Sequence, residues 1–340
     1  MLSATPAARP GMLRQRWRLA AALSIPPLFL FLLLTAGYNA GLAPAVRTPD
    51  VDATTTTSSN KIVNSVIVPS YHEAPNLTPL VTRIFKASAA PDTTEVVIVD
   101  DDSRDGTIDA VEELRREGYN VQLIVRTDES GLSSAVLRGF KEANGSKFVV
   151  MDADLQHPPE TVPALFEAMN ERTPFVMGTR YGPGGGVDKD WPLYRRVMSA
   201  VARSLAAPLT STTDPMSGFF GLTRDLYAQS ARVNPVGFKI ALELLLKTGV
   251  LRDGVAEVSY SFSKRTVGAS KLSSKVILRY VFHLAALYRW RMGFLGLVLL
   301  ELALVGAFWL LLLALEVAAD QMRKRKRQDF RRREKFKLDV

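Results

Sequence analysis

Residues 148–159 read FVVMDADLQHPP. Asp152 and Asp154 stand one residue apart, directly behind the apolar run 148–151. In an extended chain, residues i and i+2 point to the same side, so the two carboxylates repel and need an offset. A divalent cation supplies one, because carboxylate oxygens are hard ligands for magnesium or manganese. A polar turn whose aspartates cap the next helix accounts for the same pair equally well. The rest of the chain has to decide.

Other polar clusters carry chemistry of a related kind. In VPSYHE (68–73), Pro69 stiffens a turn, Tyr71 offers a face for a base, and Glu73 offers oxygens to a base or ribose. A helix N-terminus with Glu73 in its first turn is an equal alternative. VDDDSRDGT (99–107) packs four aspartates into seven residues, too many to cap one helix, although Asp105 suits a cap for a helix starting near Gly106. Asp100 or Asp101 is placed to hold a ribose or base edge, as acids after a strand do in dinucleotide sites. A nucleoside diphosphate lying across these segments needs its phosphates neutralised. Asp152, Asp154 and the amide oxygen of Gln156 suit a bridging ion, which also stabilises a departing diphosphate. Arg180, Arg195 and Ser199, in GTRYGPGGG (178–186) and WPLYRRVMS (191–199), suit phosphate oxygens or simply a solvated helix face. DPMSGFFG (214–221) reads as a close-approach loop over the sugar or an ordinary packed loop. SFSKRTVGASKL (261–272) sets Arg265 and Lys271 around Gly268, the composition of a mobile cationic loop closing on a diphosphate.

These clusters need a scaffold, and the hydrophobic pattern supplies one. Strand-like runs at 63–68, 95–99, 121–125, 148–151 and 175–178 alternate with helical segments. In 132–143, for instance, Leu132, Val136, Phe140 and Ala143 repeat at helical spacing. Strand and helix in alternation imply a mainly parallel α/β sheet with helices on both faces, which binds ligands at the carboxyl ends of its strands. Each of the first five clusters follows such a run or opens the helix behind it. No GxGxxG or Walker sequence occurs, so neither a dehydrogenase nor a P-loop enzyme is supported.

Charge places the remaining segments. The chain is 340 residues long with a net charge of +9. The tail 321–340 holds ten basic and three acidic side chains and residues 1–18 hold four arginines, leaving the middle near neutral. Nothing there attracts a polynucleotide, so no nucleic-acid partner is expected. Cysteine is absent, which removes disulfides and zinc thiolates. His72, His157 and His283 lie far apart and read as local hydrogen-bonding residues rather than zinc ligands. Residues 1–40 contain a hydrophobic anchor or a signal or transit segment, and 41–61 a polar linker. A catalytic domain over 62–275 follows. Residues 276–291 have the composition of an amphipathic helix at a lipid bilayer, 292–319 that of a transmembrane helix, and 320–340 form a basic tail suited to anionic headgroups.

Taken in order, DADLQHPPE, the GGGV segment leading to WPLYRR, DPMSGFF, GFKIALE and RTVGASKL resemble the polyprenyl-phosphate glycosyltransferases of the GT-A fold, a Rossmann-like architecture, in the form with membrane helices after the catalytic domain. The resemblance covers about residues 62–275. It implies nucleoside contacts at Pro69, Tyr71, Glu73 and Asp101, with Val99 beside them, and metal and diphosphate contacts at Asp152, Ala153, Asp154 and Gln156. It implies acceptor-phosphate contacts at Arg180, Arg195 and Ser199, and a closing loop bearing Arg265 and Lys271. It further implies GDP-mannose as donor, dolichyl phosphate as acceptor, Mg2+ or Mn2+ as cofactor, and inverting transfer that yields the dolichyl beta-linked mannosyl phosphate used in protein glycosylation. The setting it implies is the endoplasmic reticulum membrane with the catalytic domain cytosolic, or a prokaryotic plasma membrane. Accessory membrane subunits stay open. The N-terminal hydrophobic segment, the long linker and the single C-terminal span depart from the family pattern.

A phosphate acceptor is already anionic at neutral pH, so the reaction asks for positioning rather than a strong base. UDP-glucose or another sugar nucleotide satisfies the same residues, since none of them reads guanine against uracil. A silent membrane scaffold that kept the fold is the alternative of a different class; the intact set of acids and loop cations argues against it.

Overall fold

The computed structural model describes residues 61–187, 193–231, 233, 239–263, 279–293 and 296. The expected positions Arg265 and Lys271, the N-terminal hydrophobic segment, the span over 294–319 and the basic tail lie outside the described residues. No described helix is long and apolar enough to cross a membrane. The chain divides into two units, and the one from Leu42 to Leu287 holds the sheet and the site.

The expected strands form β1 (Asn64–Ser70), β2 (Thr94–Asp100), β3 (Val121–Val125), β4 (Lys147–Val150) and β5 (Phe175–Thr179). Two further strands, β6 (Phe220–Thr223) and β7 (Val255–Ser259), complete a seven-stranded sheet ordered β3-β2-β1-β4-β6-β5-β7. All its pairings are parallel except those of β6, which runs antiparallel to β4 and β5. That reversal has a consequence for chemistry. It sets the amino end of β6 at the edge where β1, β2, β4, β5 and β7 have their carboxyl ends.

The continuous apolar runs are explained by burial on both faces. Val66, Val68, Val96, Ile98, Val149 and Met151 enter one core cluster, while Ile67, Val97, Val99, Phe148 and Val150 enter the other. Helices α1 (Ala74–Ala87), α2 (Thr107–Arg116) and α4 (Val162–Ala168) cover the first face through Leu77, Leu80, Ile84, Leu114 and Leu165. Helices α3 (Leu132–Glu142) and α7 (Ile240–Lys247) cover the second through Val136, Phe140, Ile240 and Leu244. Between them in sequence come α5 (Leu193–Ala206) and the short α6 (Arg224–Ala228). Gly139 lets α3 lie directly on the sheet, since a Cβ there would collide with Ile67. Leu132, the first residue of the expected helical repeat, is exposed.

Residues 279–293 are helical. Tyr280, His283, Leu284 and Leu287 recur at helical spacing and are buried. The Tyr280 hydroxyl donates to the Ala202 carbonyl of α5 at 2.8 Å, and His283 Nε2 lies 3.0 Å from Glu243 of α7. This face of the segment is packed on the domain.

Candidate active site

The site lies along the carboxyl edge of the sheet, where β1 parts from β2 on one side and β4 on the other. Register places Pro69 beside Val99 and Ser70 beside Asp100, so the two segments expected to meet the nucleoside leave the sheet side by side. Tyr71 is exposed, with its ring 4.2 Å from that of His72. Glu73 accepts from the Asn76 side chain at 2.7 Å at the head of α1. The four aspartates divide their work. Asp100 is buried and accepts from the Ser103 backbone N–H at 2.8 Å and its hydroxyl at 2.5 Å. Asp101 accepts from the Gly131 N–H at 2.8 Å and forms an ion pair with the buried Arg126. Asp105, just before the Gly106 N-cap of α2, accepts from the Thr107 N–H at 3.2 Å and from the Ala74 N–H at 3.1 Å. Asp102 pairs with Arg104 in solvent. Asp101 therefore shapes the rim by holding the 126–131 turn.

β4 delivers Asp152, Ala153, Asp154 and Gln156. Leu155 adopts φ +61°, and this left-handed turn lets the chain double back after the strand. The Asp154 and Gln156 side chains are buried, while Asp152 keeps part of its carboxylate in solvent. Asp154 Oδ1 accepts from the Gln156 N–H at 3.1 Å. The Gln156 amide nitrogen donates to the Ser263 carbonyl at 3.1 Å, and the Ser263 N–H donates to the Gln156 carbonyl at 3.1 Å. The side chain expected to touch metal is thus tied to the root of the cationic loop. Two carboxylates and an amide are oxygen donors of the right hardness for Mg2+ or Mn2+. Among the described residues no three acids or histidines converge on a metal position. Magnesium ordinarily keeps several waters and substrate phosphate oxygens beside one or two carboxylates.

Behind the acids sits a group that sequence reasoning took only as a local hydrogen-bonding residue. His157 Nδ1 accepts from the Asp152 N–H at 3.1 Å, which fixes the aspartate's backbone and leaves the ring proton on Nε2. Its ring stacks on Phe219 at 5.0 Å and meets Tyr260 edge-on at 5.6 Å. Burial, reinforced by Arg180 and Lys239 over the pull of Asp154, pushes its pKa down to about 3, so it stays neutral.

Arg180 follows β5 and is gripped by Asp214, with Nε to Oδ2 at 2.7 Å and Nη2 to Oδ1 at 2.9 Å. The pair is almost wholly buried. Burial opposes the charge, but the Asp214 bonds outweigh it and hold the guanidinium's pKa above its ordinary value. Arg180 also lies over the rings of Phe262 and Tyr181 at 5.4 and 5.6 Å. Tyr181 carries the connection to α5. Its hydroxyl is 3.2 Å from the Ser199 hydroxyl, and Arg203 stacks on its ring at 4.0 Å. Arg195 stands one turn before Ser199 on that helix. The expected acceptor residues therefore share one neighbourhood, with Arg203 added.

Sequence reasoning quoted the motifs that contain Asp214 and Lys239 without giving either residue a role, and it passed over Tyr260 and Arg126. The segment 214–221 divides: residues 214–219 form a loop, while Phe220 and Gly221 belong to β6. This loop reaches the site because β6 is antiparallel. A Cβ on Gly218 would lie 3.6 Å from both Asp152 carboxylate oxygens, and the Ser217 hydroxyl is 3.2 Å from that of Tyr260.

A mostly parallel α/β sheet with an acidic pair closing its central strand, and arginines beyond it, has the architecture of a GT-A glycosyltransferase. The model for glycosyl transferase family 2 matches residues 65–230. A dolichol-phosphate mannosyltransferase of Mycosarcoma maydis is 54% identical over 251 residues, 71% of this chain and 85% of that protein. One from Saccharomyces cerevisiae is 54% identical over 238 residues, 67% of this chain and 88% of that protein. The glucosyl-3-phosphoglycerate synthase of Mycobacterium tuberculosis, solved with Mn2+, UDP and glucosyl-3-phosphoglycerate, has the same fold, with a TM-score of 0.52 at 19% identity over 68% of this chain and 80% of that one. The chain belongs to glycosyl transferase family 2, among the dolichol-phosphate mannosyltransferases.

Proposed function

We propose that the protein transfers mannose from GDP-mannose to dolichyl phosphate with inversion at the anomeric carbon. The observation that carries this is the 54% identity to dolichol-phosphate mannosyltransferases over the segment that builds the site. On this reading each group has a role. The rim of Pro69, Tyr71 and Asp101 receives the nucleoside, with Arg126 holding Asp101 in place. Asp152, Asp154 and Gln156 would hold Mg2+ or Mn2+, which as a Lewis acid stabilises the departing diphosphate. His157 keeps Asp152 in position without adding charge. Arg180, steadied by Asp214, would face the acceptor with Arg195 and Ser199, and the family resemblance assigns contact with the diphosphate to Arg265 and Lys271.

In the single displacement, an oxygen of the acceptor phosphate forms a bond to the anomeric carbon as the bond from that carbon to the diphosphate breaks. GDP leaves with the electron pair, and no proton need move. A lipid acceptor requires the enzyme at a membrane, and α5 suits one. Tyr194, Val197, Met198, Val201 and Leu205 form one exposed apolar stripe on it, beside Arg195 and Arg196. An endoplasmic reticulum membrane with the domain cytosolic fits this reading.

The test is transfer of labelled sugar to dolichyl phosphate in detergent with Mg2+ or Mn2+, GDP-mannose and UDP-glucose being offered in parallel with EDTA controls. Chelator-sensitive transfer from GDP-mannose alone is expected. Transfer from UDP-glucose instead would overturn the donor, and no transfer from either would overturn the activity.

A further inference from the structure

Tyr181 links the end of β5 to one face of α5. Its backbone N–H donates to the Thr179 hydroxyl at 3.1 Å, which fixes the residue where the strand ends. Its ring carries two guanidinium groups, Arg203 at 4.0 Å from the centroid and Arg180 at 5.6 Å. A cation over an aromatic face is attracted by the ring's quadrupole, so both arginines hold the ring in place. Arg203 comes from α5, where Arg195, Ser199 and Arg203 follow at intervals of four and so share one face. The tyrosine is thereby pinned both to β5 and to the helix face from which the acceptor contacts are expected.

The hydroxyl is where this pinning matters. It lies 3.2 Å from the Ser199 hydroxyl, in an exposed position that a ligand can reach. Between the two hydroxyls alone, either oxygen can donate. A phosphate decides the direction, because a phosphate monoester is mostly a dianion at neutral pH and its oxygens accept. Ser199 must then turn its one proton to the phosphate, which leaves its lone pairs to accept the proton of Tyr181. Phenol, serine and phosphate form a directed chain in which each bond polarises the next.

We propose that Tyr181 is a positioning residue for the lipid acceptor: its hydroxyl donates to Ser199 and so aims the serine proton at the acceptor phosphate. This rests on the function proposed above, and it does not require Tyr181 to touch the substrate. The observations favour the relay over direct donation to the phosphate, since the serine hydroxyl already stands within hydrogen-bond reach of the phenol.

Tyr181→Phe removes the hydroxyl and keeps the ring on which Arg203 and Arg180 rest. In full-length protein we expect it to raise KM for dolichyl phosphate about 3- to 10-fold, the range of one neutral hydrogen bond, with the effect on KM rather than kcat. The Kd for GDP-mannose with Mg2+ should stay within about twofold of the wild-type value, the size of error expected for an untouched site. Ser199→Ala should raise the same KM, and the double variant should match Ser199→Ala alone, because the phenol has nothing left to aim once the serine is gone. A merely structural tyrosine would not show that dependence. Calorimetric binding of citronellyl phosphate, a short polyprenyl phosphate, repeats the comparison without turnover. Unchanged acceptor KM and binding in Tyr181→Phe would overturn the proposal. So would losses that multiply in the double variant, which would make Tyr181 act independently of Ser199. A wild type that binds citronellyl phosphate but transfers no mannose overturns the proposed function alone, and the binding comparison then decides Tyr181. One that neither transfers nor binds overturns both.

Discussion

The Arg180–Asp214 pair is the most exacting test of how this site is built. Its side chains are 9% and 0% exposed, so solvent screening hardly dilutes the interaction. Asp214→Asn removes one charge with almost no change of shape and strands a buried guanidinium. Leaving one member of a buried pair uncompensated costs about 3–5 kcal/mol. The rings of Phe262 and Tyr181 remain beside the guanidinium and give back part of this, so the lower end, about 3 kcal/mol, is the expectation. For a domain of this size that corresponds to a fall in Tm of about 6–12 °C. Arg180→Met, which strands the carboxylate instead, should cost a similar amount. The double variant Arg180→Met/Asp214→Leu fills the site with apolar side chains and should recover most of the stability. It should still fail to glycosylate dolichyl phosphate, because the charge proposed to meet the acceptor is gone. Thermal unfolding of full-length protein in detergent, followed by circular dichroism beside a transfer assay, measures both. Single variants that each cost under about 1 kcal/mol, or a double variant that costs their sum, would refute the reasoning.

Asp154→Ala should abolish transfer, by at least about a thousandfold for the loss of several kcal/mol of Lewis-acid stabilisation; substantial residual turnover would sink the metal assignment. Gly221→Ala puts a Cβ 2.6 Å from the Phe148 carbonyl and 3.0 Å from Val176, so β6 should be wedged from its neighbours at about 1–3 kcal/mol, read as a lower Tm. Glu243 carries a pH signature. Burial alone would raise its pKa, but bonds from His283 and Lys247 hold it below its ordinary 4.5. A depressed carboxylate contributes stability that is present above the unfolded value and lost as pH falls through the folded one. The stability advantage of wild type over Glu243→Gln should therefore shrink on acidification below 4.5, and urea titrations at several pH values would show it. A constant gap would mean that the carboxylate is not what holds α7 to the helix over 279–293.

Five of the seven strands were legible because burial on both faces imposes continuous apolar runs, and those runs survive any choice of neighbours. The other two were not, for different reasons. β6 is four residues long and grows out of a loop, so Phe219 and Phe220 look alike although one lies in the turn and the other in the sheet. β7 is an edge strand whose residues are only partly covered, which erases the apolar run that would announce it. Missing β6 had a second cost. Without its reversed direction there is no reason to bring residues 214–219 to the carboxyl edge at all.

The site divided along the same line. Groups that follow a strand in sequence, such as Asp152, Asp154 and Arg180, were legible because a parallel sheet sends every strand end to one place. Groups whose meaning depends on a partner across the sheet were not. Asp100 or Asp101 reads as an acid for a ribose or base edge, and only the fold shows that Arg126 and Gly131, some 25 and 30 residues on, hold the Asp101 oxygens. Lys239 appears in sequence only inside GFKIALE, and its bond to the Met216 carbonyl, 23 residues back, is visible only in the fold. A charge in a cluster can be counted from sequence, but whether it is already neutralised is a property of the packed fold. Arg180 shows the point: its charge is plain in GTRYGPGGG, but the Asp214 fork that answers it comes from a loop 34 residues on and is set in place only by the reversed β6.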